Sequence, residues 1–432
     1  MHLSALTVAS LVAAVNASPL FRRQGGGSGL PKNATEVIMG QNGNDTYKVI
    51  PDTYNGTSQT EIVFTSVPQG YNKTFTESNE PYYGASQIIN PATKNGTNET
   101  LASPYMPAGG LIRKNPTYTA ESNFDFQSLN LALNQELIEL DLFHNGLARF
   151  STQDFIDAGL TADDRFIIEH MADQEVGHAL AITHMLGGDR AAKQCVYQYP
   201  YNSVKEFVLF CQLLTRFGEA GVYGFLQQLD SRPAAQILLQ SITTEARQQM
   251  IFRQLQGLPA QPEWFETGLP QSYAWTMLSP YIKSCPSTNP RIEWQNFPAL
   301  KILNQPDSLG GTPGINSNYT LTSGAGRVVQ FSWEDPGKVT GYDGLYKTCS
   351  FAGKPKYAAF IGQLNVSYAE LYNVSNNTGY AKVPDSVVFP GQPQVVNTAF
   401  VSIVDEAVPL TPYNLSMILN HTVSGPTWFF AS

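Results

Sequence analysis

Four carboxylate side chains lie inside apolar, helix-forming segments of the sequence, where ionised residues are unusual. Burying a carboxylate costs several kcal/mol unless the group is paired with a cation or bound to a metal ion. A set of such residues on neighbouring helices therefore requires a common partner. In chain order, the four residues are Glu136, Glu175, Glu219 and Glu245.

The spacing around these carboxylates matches a two-metal carboxylate site. Such sites in helical bundles take one Glu from each of two helices and a Glu-x-x-His pair from each of the other two. Glu175 and His178 form one such pair, since residues three apart share a helix face. The sequence thus predicts a site for iron or manganese with these ligands: Glu136, Glu175, His178, Glu219 and Glu245.

The fourth segment departs from this pattern, because Gln248 stands where the second histidine is expected. An amide oxygen is a poorer ligand for these metals than an imidazole nitrogen, so one of the two metal positions is weakened or lost. Glu139 or His144 could fill the gap. In the alternative interpretation the acidic layer is a metal-free hydrogen-bond network, with Arg216 and Arg247 neutralising part of its charge.

The elements that must position these residues are four long helices. Helix-period patterning and capping signals delimit them: Ser122 precedes the first, and Pro233 lies in the first turn of the fourth. About 15 residues join the second and third helices, enough to cross the bundle lengthwise, whereas the third and fourth are joined by a short turn. The predicted helices span 124–150, 162–186, 203–229 and 233–257.

The chain outside the helical region lacks helical periodicity, and its C-terminal part has strand-like alternation. The sequence therefore predicts an α+β multidomain protein. A C-terminal β-rich, sandwich-like module follows the bundle, because apolar and polar residues alternate in stretches such as 328–333 and 400–404. The predicted organisation is a signal peptide at 1–17, an extended arm at 18–120, the bundle at 121–260, an irregular Pro- and Trp-rich connection at 261–326 and the β-rich module at 327–432.

Composition and targeting features indicate a secreted protein. The apolar run 3–15 is too short to span a membrane and ends in small residues typical of a signal peptidase site. Arg22-Arg23 is a possible processing site, and no later stretch predicts a membrane span. With 26 basic against 35 acidic residues and no basic run, a nucleic-acid partner is excluded.

Glycosylation and disulfide bonds are expected in that compartment. Only 14% of the residues are charged, and Asn-x-Ser/Thr sequons cluster on both sides of a bare middle. Four cysteines allow three full pairings, or Cys211 can remain a buried free thiol. The cysteines are Cys195, Cys211, Cys285 and Cys349. The sequons begin at Asn33, Asn44, Asn55, Asn72, Asn95, Asn98, Asn318, Asn365, Asn373, Asn376, Asn414 and Asn420.

The helical region resembles a known family. The strings NQELIE at 134–139, DQEVGH at 173–178 and LTRFGEAGVYGF at 214–225, with the segment 240–254, are similar to fungal secreted ferritin-like proteins of the stress-response and late sexual development family. The resemblance covers about 120–300 and implies a ferritin-like bundle in a protein linked to stress or development. It implies no established reaction, and Gln248 fits this fungal branch.

Three hypotheses about function follow. The leading one is a secreted, glycosylated ferritin-like protein of fungal stress response or sexual development without catalysis, so no catalytic residue is assigned. The alternative is a metal-binding bundle, acting as an oxidase or metal store, with an incomplete two-metal site. A third is a structural glycoprotein associated with the cell wall. The oligomeric state is left open.

Overall fold

The structure, a computed structural model, describes residues 118–260, 262–317 and 321–432, together with the backbone of three earlier strands. These strands pair antiparallel in the order β1-β2-β3 within the predicted arm, and the third contains 61–64. The predicted signal peptide, Arg22-Arg23, the six sequons before residue 100 and Asn318 lie outside the described residues. The strands are β1 Glu36–Met39, β2 Thr46–Pro51 and β3 Thr60–Phe64.

Four long helices form the bundle, as the sequence predicts, and two shorter helices accompany it. One short helix follows the first long helix directly, and the other comes after the bundle. Within the described residues, none of the helices is long and apolar enough to cross a membrane. The helices are α1 Asn123–Arg149, α2 Thr152–Asp157, α3 Ala162–Leu186, α4 Val204–Leu226, α5 Arg232–Leu255 and α6 Gln271–Leu278.

Side-chain caps fix where the long helices begin. The Ser122 hydroxyl accepts a hydrogen bond from the backbone N–H of Asp125. Reciprocal capping boxes join Thr161 to Asp164 at the start of α3 and Ser203 to the glutamate three residues later at the start of α4. Because each box satisfies two otherwise unpaired N–H groups, these starts are local properties of the sequence.

The long crossover between α3 and α4 is fastened to the segment that follows α6. It contains β4, Val196–Tyr197, which pairs antiparallel with β5, Ile282–Ser284. A disulfide bond between Cys195 and Cys285 lies beside this pair, with the two Cα atoms 4.3 Å apart. Cys211 is a buried free thiol and Cys349 a half-buried one.

The C-terminal module is a sandwich of two four-stranded antiparallel sheets. One sheet has the strand order β11-β10-β16-β17 and the other β12-β13-β7-β6. Two short hairpins, β8–β9 and β14–β15, lie outside these sheets. The strands are β6 Leu300–Ile302, β7 Val328–Trp333, β8 Val339–Thr340, β9 Tyr346–Lys347, β10 Tyr357–Gly362, β11 Asn365–Glu370, β12 Tyr372–Ser375, β13 Thr378–Lys382, β14 Val387–Phe389, β15 Gln392–Pro393, β16 Thr398–Val404 and β17 Thr422–Phe430.

The first sheet is covered on both faces, so the protein has three layers. Successive residues of a strand point to opposite faces. Ala358 and Phe360 of β10 therefore pack against the second sheet, while Ala359 and Ile361 belong to the core shared with the helices. All seven residues of β16 are buried. The bundle and the sandwich thus share one sheet as a common wall.

The connection predicted as irregular contains regular structure: α6, β5 and β6 all lie between residues 261 and 326. Helix α6 is only eight residues long and is stabilised by packing rather than by its own propensity. Tyr273 and Trp275 are fully buried, and a Cβ added to Gly221 of α4 would lie 2.8 Å from the Cβ of Ala274. Small residues on α4 let this segment approach closely.

Five predicted glycosylation sites lie within the described residues, and their exposure differs. Four of the five asparagines are exposed, whereas Asn414 is half-buried and donates a hydrogen bond from its amide to the backbone oxygen of Pro409 at 3.2 Å. The exposed asparagines are Asn365, Asn373, Asn376 and Asn420.

The Gly224→Ala substitution is expected to destabilise the protein by about 1–3 kcal/mol, because a Cβ there would overlap the carbonyl oxygen of Leu269. Gly177 is the matched control: it is exposed on α3 with nothing within 4 Å of an added Cβ. Its alanine variant is expected to gain about 0.5–1 kcal/mol from helix propensity. Urea unfolding measures both changes, and equal stabilities would contradict the close approach at Gly224.

Peptide mapping of the unreduced protein is expected to recover Cys195 linked to Cys285. Cys211 and Cys349 are expected to be free thiols that react with an alkylating reagent when the protein is unfolded. A Cys195→Ser/Cys285→Ser variant is expected to lose about 2–4 kcal/mol of stability, because the bond closes a long loop in the unfolded chain. Cys349→Ser serves as the control without a disulfide. A linked peptide containing Cys211 would contradict the pairing.

Candidate metal centre

Three helices bring four ionisable side chains together in the centre of the bundle. Glu136 comes from α1, Glu175 and His178 from α3, and Glu245 from α5. Each offers one ligand atom, and all four of these atoms lie within 4.8 Å of one another. The three carboxylates are at most 2% exposed and the histidine side chain is 13% exposed.

The imidazole of His178 lies at the centre of this group. Its Nδ1 is 2.9 Å from a carboxylate oxygen of Glu175, 3.2 Å from one of Glu136 and 4.0 Å from one of Glu245. The first two are hydrogen-bond distances, so Nδ1 carries a proton when it faces these oxygens. One nitrogen of His178 therefore provides the nearby positive charge for three carboxylates.

Burial and mutual repulsion set the protonation of the cluster. Burial raises the pKa of Glu136 to about 7 despite the opposing effect of His178. Burial and the surrounding carboxylates raise the pKa of Glu245 well above its ordinary value. For Glu175, burial opposes ionisation, but the charge and hydrogen bond of His178 outweigh it and lower the pKa. Burial likewise opposes ionisation of His178, yet the carboxylates raise its pKa well above normal.

Gln248, which replaces the expected histidine, acts as a hydrogen-bond donor. Its amide nitrogen donates to Glu175 and to the side-chain oxygen of Gln174, the latter at 3.2 Å. The amide oxygen of Gln248 is buried and has no hydrogen-bond partner. The side chain therefore restrains one ligand carboxylate, in the place where a second Glu-x-x-His pair would offer a ring nitrogen.

Glu139 lies next to the four-residue group but does not belong to it. It is buried one turn beyond Glu136 on α1 and accepts a 2.6 Å hydrogen bond from Gln135. Burial raises its pKa well above normal, and repulsion from Glu175 and Glu136 adds to this. Its other carboxylate oxygen has no hydrogen-bond partner. Glu139 thus adds a buried carboxyl group beside the site, and its raised pKa favours the neutral form. His144 is outside the converging group, and burial lowers its pKa to about 4.

Glu219 is not among the converging ligands of the described residues, although the sequence pattern includes it. Its nearest cation is Arg216, whose Nη1 lies 3.9 Å from a Glu219 oxygen. Neither carboxylate oxygen of Glu219 accepts a hydrogen bond. Burial raises its pKa well above normal, with repulsion from Glu266 adding to this and Arg216 opposing it. Glu219 nevertheless lies close enough to contribute to the raised pKa of Glu245.

Arg216 connects this part of the bundle to the rest of the protein. Its guanidinium is 3.0 Å from Glu263, is ion-paired with Glu266 and donates a 3.1 Å hydrogen bond to the backbone oxygen of Thr398 in β16. The sequence suggested Arg216 as a neutralising charge but gave no sign of these distant partners. Arg247, the other suggested cation, is exposed.

The donor set fits a divalent transition metal. Three carboxylate oxygens and one imidazole nitrogen are ligand types that iron(II), manganese(II) and zinc(II) accept. One oxygen of Glu245 is buried without a hydrogen-bond partner, so a metal ion would satisfy a group that the protein leaves unpaired. Glu136, Glu175, His178 and Glu245 are the residues that could hold it.

Comparisons with known proteins agree with this architecture. A model of the ferritin-like domain matches residues 124–258, the segment that contains the four long helices and every residue of the cluster. Over 364 residues, 79% of this chain and 90% of the relative, the sequence is 46% identical to Protein rds1 of Schizosaccharomyces pombe. The similarity therefore extends well beyond the bundle.

The Glu245→Gln substitution is expected to raise the free energy of unfolding of the metal-free protein at pH 7. When the pKa of a carboxyl group is higher in the folded state than in the unfolded state, the protein loses stability as the pH rises above the unfolded-state pKa. An amide does not titrate, so the substitution removes that loss. The exposed Glu370→Gln on β11 is the control. Urea unfolding with a chelator present measures both, and a less stable Glu245→Gln protein would contradict the repulsion.

Proposed function

Because the chain belongs to the ferritin-like protein family that includes Protein rds1, we propose that its bundle binds one divalent transition-metal ion. The ion is held by Glu136, Glu175, His178 and Glu245, and iron(II) and manganese(II) suit this mixed oxygen and nitrogen set. The observation that carries the proposal is the convergence of four ligand atoms within 4.8 Å in a buried layer of the bundle.

One metal ion is proposed rather than two, because two residues of the predicted two-metal pattern do not serve as ligands in the structure. Gln248 offers no ring nitrogen and donates its amide hydrogen to Glu175. Glu219 lies outside the group of converging ligand atoms, and its nearest cation is Arg216. A two-metal site can share two electrons between its ions, and a single ion cannot. Binding and sequestration therefore suit this bundle better than oxidase chemistry.

The residues around the ion have distinct roles in this proposal. A bound ion of this kind supplies positive charge and a centre able to exchange one electron. His178 must give up the Nδ1 proton to offer a lone pair, and the neighbouring carboxylates no longer need that proton once the ion neutralises them. Gln248 orients Glu175 through its hydrogen bond. The surrounding helices keep water away from the ligands, since the three carboxylates are at most 2% exposed.

We further propose that the protein is a secreted glycoprotein of fungal stress response or sexual development, in the medium or the cell wall. The apolar stretch at 3–15, the sequons and the Cys195–Cys285 bond support the compartment. The similarity to the fission yeast relative supports a fungal setting. Fractionation of the culture into wall and medium tests where the protein resides.

Titration of the chelator-treated protein with iron(II) under anaerobic conditions, and separately with manganese(II), is expected to give one bound ion per chain. Binding is expected to raise the unfolding free energy by about 2.7 kcal/mol at a free metal concentration 100 times Kd. Metal analysis after gel filtration and thermal unfolding provide the stoichiometry and the stabilisation. The absence of both effects would overturn the proposal.

Two isosteric variants distinguish a proposed ligand from a buried carboxylate outside the group. Glu245→Gln removes a converging ligand and is expected to weaken binding by at least about 10-fold. Glu219→Gln removes an equally buried carboxylate outside the group and is expected to leave the stoichiometry and affinity close to wild type. Isothermal titration compares them. Equal losses would indicate that Glu219 is a ligand, and a wild-type stoichiometry of two would refute the single-ion site.

A further inference from the structure

One edge of the sandwich is open, and it lacks the residues that usually protect such an edge. Strand β12 is the outermost strand of the sheet β12-β13-β7-β6, and all four of its residues are exposed. Tyr372 is 38% and Val374 43% exposed. An exposed edge strand presents unpaired backbone groups to any other strand, and proteins commonly block it with lysine, proline or charge. The stretch 371–381 contains no charged residue and no proline.

The other outermost strands of the two sheets, β6, β11 and β17, are less exposed than β12. Strand β6 ends the same sheet on the opposite side and lies beside β17, where the N–H of Gly425 donates to the oxygen of Pro298 at 2.9 Å. Strand β11 borders the first sheet, and the amide of Gln394 donates to the backbone oxygen of Asn365 at 2.7 Å. Among the described strands of the sandwich, β12 therefore presents the most exposed edge.

Two sequons lie on this open edge. Asn373 is inside β12 and Asn376 is in the turn to β13, and both side chains are exposed. Both residues adopt a left-handed backbone, with φ near +50°, and the β12–β13 register shifts between Tyr372 and Ser375. Asparagine tolerates this conformation better than most residues, so both sequon positions fit the irregular backbone at this edge.

We propose that N-linked glycans on Asn373 and Asn376 block this edge and prevent β12 from pairing with β12 of a second copy of this chain. The inference rests on the proposed passage through the secretory pathway, where the glycans are added. The sugars provide the bulk and hydration that charged side chains provide at other edges. Tyr372, which stacks on Tyr380 at 5.8 Å, forms the apolar surface beside which they lie.

The test removes the glycans without altering either asparagine, since glutamine would strain the left-handed backbone. In Ser375→Ala/Thr378→Ala both sequons are destroyed, and in the matched control Ser375→Thr/Thr378→Ser both are kept. Asn420→Gln removes an exposed sequon away from β12. Each full-length chain is produced in a secreting yeast, and light scattering over a concentration series measures self-association.

The alanine variant is expected to self-associate with a dissociation constant lowered by about tenfold or more, while both controls remain like wild type. Adding Val374→Lys to the alanine variant is expected to return self-association to the wild-type level, because a lysine on the strand opposes pairing. Equal self-association of the alanine variant and its control would overturn the inference, and so would glycopeptide mass spectrometry showing Asn373 and Asn376 unmodified in the control. If the wild-type chain itself is not secreted, the proposed compartment is refuted instead. Metal binding is measured in a separate titration, so the two proposals can fail independently.

Discussion

Three buried carboxylates facing one imidazole are the interaction around which this protein is organised. Ionised groups in a helical core are costly, and here Glu136, Glu175 and Glu245 depend on His178 for compensation. The raised pKa values of two of these glutamates indicate that one histidine is insufficient. The long capped helices, their inward-facing polar layer and the hydrogen bond from Gln248 all hold this arrangement in place. The proposed metal ion would relieve the same electrostatic cost.

The sandwich is part of the bundle's support as well as a separate module. Its first sheet packs on the helices with one face and on the second sheet with the other. Arg216 joins the two parts, since it contacts Glu263, Glu266 and the β16 backbone while lying one helical turn from Glu219. The similarity to Protein rds1, which covers 79% of the chain, is consistent with the two parts being inherited together.

The low charge content of the sequence corresponds to two separate physical situations. In the bundle, several charged residues are buried, in the polar layer and in the Arg216 network. On the sandwich, exposed surface and an open strand edge coincide with sequons, so sugars are the proposed source of hydration there.

Local periodicity and short spacings in the sequence predict the four long helices, their caps and the alternating strands. They also predict five ligand residues, and four of these converge in the structure. The remaining features depend on tertiary contacts. These contacts select Cys195–Cys285 among the open pairings, give the short helix α6 its packing partners and leave Glu219 outside the converging group. Each of these outcomes depends on residues distant in the chain, such as Glu263 and Thr398 around Arg216, and no local pattern encodes which distant groups will meet.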